Sequence, residues 1–373
     1  MNLAAAATLC VMLATPARAT PYVPADDALV LTDLPAGASY SDLTARRLAE
    51  ARPDVALPLA QFYIRQSRQS GDLRYLGYAD AVLAPWLDRR PPVPAALVLR
   101  ATVQQSRHQF DSALATLRAA LATADDDPQA LLTQATILRV LGRYDEAAAS
   151  CERFSRRVEP RLAALCVQGV RGLSGQLESA YATLRAVSTQ GWLDAEKSWL
   201  YCELGEMAVR LGHGDEAAHW FQQDLSVAPT DFYARGAYAD LLLSERRPAD
   251  ALQLLSGYDS FEPLLLRMAI AQRQLQDPML TQSRLRLEAA FAAETLRGEA
   301  VHRREQARFL LEVQQQPAEA LRVARDNWRV QREPDDARVL IAAALAAGQP
   351  AAASAAIAML RTAGVRDPVG IAR

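Results

Sequence analysis

A small residue recurs along this chain at the interval of a helix pair. Ala113, Ala147, Ala180, Ala217 and Ala251 each follow a turn-like stretch, and the steps from 113 to 147, 147 to 180, 180 to 217 and 217 to 251 are 34, 33, 37 and 34 residues. Self-similarity of this size is the signature of a stacked array, in which each unit buries its apolar face only against its neighbours. An array also suits a chain of 373 residues, which rarely forms one compact core. Ala, Leu, Arg, Glu and Gln dominate and are strong helix formers, while β-branched runs of period two are absent. The expected fold is all-α.

A formal net charge of −2 and a pI near 6.2 give no general attraction to nucleic acid or to an anionic membrane, and Lys197 is the only lysine. Leu3 to Ala14 is an uncharged apolar stretch followed by Pro16 and Ala17-Arg18-Ala19. This is the order of a secretory signal cleaved after Ala19, and it is too short to span a bilayer. The expected organisation is therefore a signal at 1–19, an extended arm at 20–42 rich in proline and acid, helical hairpins from 43 to 364, and a flexible tail at 365–373. The address is periplasmic or secreted, with no integral membrane segment after cleavage. Three cysteines would remain in that oxidising compartment, Cys151, Cys166 and Cys202. A bridge between Cys151, on one second helix, and Cys166, on the next first helix, is geometrically conceivable. Their apolar neighbours favour buried free thiols instead.

The clearest unit runs from Pro128 to Pro160. Leu131, Ala135 and Leu138 form the stripe of a first helix, Gly142-Arg143 closes it, and Tyr144 to Ala148 opens a second helix that continues through Cys151 and Phe154. Two antiparallel helices approach closely only where small residues face one another, here Ala135 and Ala147. The pattern resembles the tetratricopeptide repeat, in GRYDEA (142–147), HQFDSA (108–113) and LGEMAVRLGHGDEAAHWF (204–221). Weaker copies are GDLRYLGYA (71–79), GQLESA (175–180), RRPADA (246–251), QQPAEA (315–320) and GQPAAA (348–353), and the interval from 251 to 320 leaves room for a degenerate pair between Glu262 and Gly298. The resemblance implies a right-handed α-solenoid of about eight hairpins with first helices on the concave wall. The stretches 71–86 and 99–114 are also similar to a group of secreted repeat proteins of Gram-negative bacteria. The last unit is so rich in alanine that its final helix is expected to fray or to depend on a partner.

Four histidines, His108, His213, His219 and His302, stand in no metal-ligand register, and no phosphate-binding or nucleophile motif occurs. No cofactor, metal or catalytic residue is assigned. Gly169, Gly172 and Gly175 sit where a first helix should be and read as points of close approach. Arg303, Arg304 and Arg308, with Arg322, Arg325 and Arg329, form basic stripes that are expected to be solvated and paired with Glu299, Glu305 and Glu319. Asp125 to Asp127 and Asp335-Asp336 precede helix starts, as the helix dipole favours. The inner-wall candidates for binding a protein or peptide are Thr102, Gln105, Thr136, Arg139, Glu206, Arg210 and Asp240. Tyr201 and Tyr233 join them as aromatic anchors. These lead to an exported scaffold or adaptor that seats a partner in a groove over residues 95–245, without catalysis of its own. The alternative is an accessory factor or repeat-fold enzyme in envelope or glycan processing. Self-association through the terminal repeats is a further option.

Overall fold

The computed structural model describes residues 46, 48–297 and 301–366. The chain divides into two units, Met1–Thr44 and Ala45–Arg373, and only the second is described. The expected signal and arm, Gly298, Glu299 and residues 367–373 lie outside the described residues.

Eighteen helices follow one another in consecutive pairs among the described residues. They are α1 (Pro53–Ser70) and α2 (Arg74–Leu87), α3 (Pro94–Ser106) and α4 (Phe110–Thr123), α5 (Pro128–Val140) and α6 (Tyr144–Ser155), α7 (Pro160–Arg171) and α8 (Leu177–Arg185), and α9 (Asp194–Leu211) and α10 (Gly214–Val227). There follow α11 (Phe232–Ser244) and α12 (Pro248–Leu255), α13 (Glu262–Leu275) and α14 (Leu280–Arg297), α15 (Arg303–Arg308) and α16 (Pro317–Trp328), and α17 (Pro334–Ala346) and α18 (Ser354–Ala363). Among the described residues the fold is an α-solenoid of nine hairpins, one more than expected. The hairpin over 262–297 fills the gap in the sequence repeat.

The periodic alanines lie where two helices cross. Ala113, Ala147, Ala180, Ala217, Ala251 and Ala320 are each 0% exposed and each stands fourth in its second helix. The hidden hairpin keeps the rule with Ser283, fourth in α14 and buried. First helices start on proline at Pro94, Pro128, Pro160 and Pro334, where a missing N–H costs no hydrogen bond. Asp127 and Asp231 cap α5 and α11 by accepting from the amides of Ala130 and Ala234, at 2.8 and 2.9 Å.

Eight hairpin turns share one device. The residue before the last turn position has a left-handed φ in His108, Gly142, Gly175, Gly212, Arg246, Gln276, Gln315 and Gly348. The following amide then bonds back to close the first helix, as in Arg143 to Leu138 at 2.8 Å and Asp277 to Gln272 at 2.8 Å.

Cys151 and Cys166 form a disulfide with Cα atoms 5.5 Å apart. This corrects the expectation of free thiols: α6 and α7 lie side by side, so the two apolar positions that suggested separate burial face each other. Cys202 is free.

The C-terminal hairpin does not end the stack in solvent. Its residues Leu340, Ala356 and Leu360 share one buried core with Leu131, Leu138 and Cys166. The Arg332 amide donates to the Val140 carbonyl at 2.8 Å, Met359 covers Gly142, and Gly364 meets Gly175 backbone to backbone. Arg366 pairs with Glu178, and Val365, placed in the expected tail, is buried. The partner anticipated for the last helix is thus the chain itself, and part of the groove expected over 95–245 is filled by residues 332–366.

Candidate functional site

First helices from six hairpins deliver charged side chains to one cavity of about 350 Å³. On α11, Tyr233, Ala237, Asp240, Leu241 and Ser244 fall at helical spacing and form one stripe. Glu206, Val209 and Arg210 do the same on α9, and Asp335, Arg338, Val339 and Ala342 on α17. Arg139 enters from α5, Arg267 from α13, and Arg304 and Arg308 from α15. Leu173, Leu311 and Val339 supply apolar wall.

Most of these charges are tied to one another. Asp240 accepts from Arg267 at 2.6 Å and from Arg308 at 2.9 Å. Burial alone would push its carboxyl up, yet the two guanidiniums outweigh that and hold it at about 2. Arg308 also reaches Glu312 at 2.7 Å. Arg304 contacts Glu333 at 3.2 Å and Asp336 at 3.5 Å, and Arg139 binds Glu203 at 2.9 Å. Gly169 makes room for that last pair, since a side chain there would meet Arg139 Nη1 at 2.9 Å. This is the close approach expected of the glycine-rich stretch. Asp240–Arg308 and Arg139–Glu203 join hairpins that are not neighbours in the stack, and Arg304 and Arg308 are only 20% and 14% exposed. The expectation of a solvated basic face therefore fails at these two positions. It holds at Arg322, which pairs on the surface with Glu319.

Glu206 differs. Its carboxylate accepts from the Tyr233 hydroxyl, and burial, with the neighbouring Glu203 charge, pushes it up to about 7. Glu333 is pushed up to about 6 by burial against the pull of Arg304.

Of the residues singled out by sequence, the cavity lining gathers Arg139, Glu206, Arg210, Tyr233 and Asp240. Thr102 is buried with its hydroxyl on the Val98 carbonyl, Thr136 bonds to Leu132, and Gln105 is half-buried on α3. Tyr201 stacks on Trp220 with ring centroids 5.9 Å apart. Trp192 and Tyr238 are core residues. Arg267, Arg304, Arg308, Glu333 and Arg338 were not among the candidates. Their spacing on a helix was readable for α15, but their meeting with α11 depends on how the C-terminal hairpins pack.

A second cluster forms around His302, isolated in the sequence. Its Nδ1 meets Glu294 and lies 3.8 Å from Glu262, and the three ligand atoms lie within 4.8 Å of one another. These residues could hold a small cation. The imidazolium itself also suits the two carboxylates: burial disfavours its charge, and Glu294 overrides this to raise the ring to about 8.

No family model matches the chain, and no curated protein matches it. Solved structures do. The chain is similar to a tetratricopeptide repeat protein from Parabacteroides merdae, with 16% identity over 62% of this chain and 93% of that one and a TM-score of 0.41. It is similar to a tetratricopeptide repeat protein of Thermus thermophilus at 24% identity over 49% of this chain and 99% of that one, with a TM-score of 0.39. Human IFIT1, solved as a dimer with m7Gppp-AAAA, shares 12% identity over 87% of this chain and 85% of that one, with a TM-score of 0.46. The solenoid reading stands on the chain's own hairpins: their paired order, their small residues at the crossings and their shared turns. No helix among the described residues is long and apolar enough to cross a membrane.

Proposed function

We propose that this chain is an exported, non-catalytic scaffold that takes a protein or peptide partner at the mouth of the charged cavity. The observation that carries this reading is the convergence of six first helices on one cavity whose rim includes the exposed ring of Tyr233. Aromatic and arginine side chains around a concave site are the usual anchors of a docked segment. Docking at this mouth replaces the long open groove, because residues 332–366 already cover part of the inner wall. The Cys151–Cys166 disulfide supports an oxidising compartment, in keeping with the signal read at 1–19.

A photo-crosslinking residue at Tyr233 tests the partner, with a control at Arg118 on α4. In cells that make the protein, a discrete adduct at 233 that is absent at 118 supports the reading, and equal or absent adducts at both overturn it. Export is tested separately by fractionation and by the mass of the mature chain, which should begin at Thr20.

A further inference from the structure

Two oppositely charged side chains in the cavity, Arg210 and Glu206, act on each other through space but hold no direct ion pair among the described residues. Arg210 is only 6% exposed, and its Nη1 donates to the Gly172 carbonyl at 2.6 Å. Among the described residues no carboxylate forms an ion pair with it, although the Glu206 and Glu203 charges act on it through space, and it lines the cavity. Glu206, one helical turn earlier on α9, accepts from the Tyr233 hydroxyl, and among the described residues no cation is in contact with it. The neighbouring charges cannot serve them, because Asp240 is held between Arg267 and Arg308. Arg210 and Glu206 each have one neutral hydrogen-bond partner and no direct counter-ion, and a buried charge that is not paired costs free energy unless something meets it.

We propose that the cavity binds a small zwitterion, an α-amino acid with an apolar side group, with its ammonium on Glu206 and Tyr233 and its carboxylate on Arg210. One compact body carrying both charges supplies a direct counter-ion to each. A ligand of one sign leaves the other group unmet. The apolar side group lies along Leu173, Val209 and Leu241, which line the same cavity. The volume of about 350 Å³ sits at the small end of the roughly 300–1,000 Å³ typical of ligand pockets. That suits one amino acid and leaves little room for a longer peptide. This site goes beyond the scaffold reading and needs no protein partner.

Calorimetric titration of the purified full chain tests the inference with four probes: leucine, leucinamide, N-acetyl-leucine and N-acetyl-leucinamide. Leucine should bind, each singly charged probe at least about tenfold more weakly, which is about 1.4 kcal/mol, and the uncharged probe not detectably. Glu206→Gln should bring leucine and N-acetyl-leucine to the same affinity while the circular dichroism spectrum stays unchanged. Arg210→Met should do the same for leucine and leucinamide. Equal binding of all four probes overturns the proposal, as does unchanged discrimination in Glu206→Gln. So does the absence of heat with leucine. The measurement uses no partner, so it fails or succeeds independently of the crosslinking result.

Discussion

The backbone amide of Arg332 donates to the carbonyl of Val140 at 2.8 Å, joining the start of the ninth hairpin to the end of the fifth helix. A solenoid whose units touch only their neighbours would contain no such bond. Here the terminal hairpin shares a core with the third and fourth, so the array should lose part of its one-dimensional character and open as a coupled unit.

Leu360→Ala tests this coupling. Leu360 is 0% exposed and belongs to the same core as Leu131 and Leu138. Its truncation should cost about 2–5 kcal/mol. Hydrogen exchange should quicken in residues 354–363 and also in 128–140. Acceleration confined to the last hairpin would mean simple end fraying.

The small-residue rule predicts that bulk at a crossing splays the pair. Ala147→Trp should destabilise by at least about 1–3 kcal/mol through overpacking. Ser283→Trp should do the same in the hairpin over 262–297, because Ser283 is buried at the equivalent position of α14. Thermal unfolding of the two variants checks both. A neutral Ser283→Trp would show that α13 and α14 cross elsewhere.

The hairpins were legible because burial imposes a repeating constraint, and Ala113 to Ala320 record it. The unit over 262–297 was legible only as a gap, since its crossing residue is a serine and its turn residue is Gln276. Of the eight left-handed turn residues only Gly142, Gly175, Gly212 and Gly348 are glycines, so half the turns carry no local signal. The cavity was read in part, because Glu206, Arg210, Tyr233 and Asp240 follow the helical period of their own first helices. Arg304, Glu333 and Arg338 depend on the return of the C-terminal hairpins to the inner wall, and nothing in a local period encodes that. The disulfide was readable as a distance and misjudged on chemistry.

The non-glycine turns store strain that a single substitution can relieve. Gln276 has φ of 56°, a conformation that costs an ordinary residue about 1–2 kcal/mol. Gln276→Gly should therefore stabilise by up to about 1 kcal/mol, after the extra entropy of glycine in the unfolded chain is subtracted. Chemical denaturation should show a higher midpoint with an unchanged slope.

Asp224 gives the pH dependence a clear sign. It is 0% exposed, both carboxylate oxygens lack a hydrogen-bond partner, and burial pushes its pKa up to about 7. A carboxyl raised in the folded state favours folding below its unfolded pKa, and that contribution is lost as pH rises through the folded value. The groups facing it are Ser198 and Asp231, and the Asp231 charge acts in the same direction. Asp224→Asn should therefore gain stability relative to the parent between about pH 4 and 8. Melting temperatures at pH 5 and pH 8 check this, and a difference that shrinks toward pH 8 contradicts it.

Asp240 is the joint of the cavity wall, because one carboxylate neutralises Arg267 from α13 and Arg308 from α15. Removing one partner of a buried pair leaves an uncompensated charge, which typically costs about 3–5 kcal/mol. Asp240→Asn keeps the shape but leaves Arg267 without its carboxylate, while Arg308 keeps Glu312 at 2.7 Å, so its cost should fall at the low end of that range. Arg308→Met alone leaves Asp240 paired with Arg267 and only the part-exposed Glu312 without its arginine, so it should cost less. The double variant should be more stable than Asp240→Asn, because the repulsion between the two arginines is gone. A double-mutant cycle in thermal or chemical unfolding measures that coupling. If the two effects simply add, Asp240 and Arg308 are not energetically joined, and α11 and α15 are held together by the apolar wall alone.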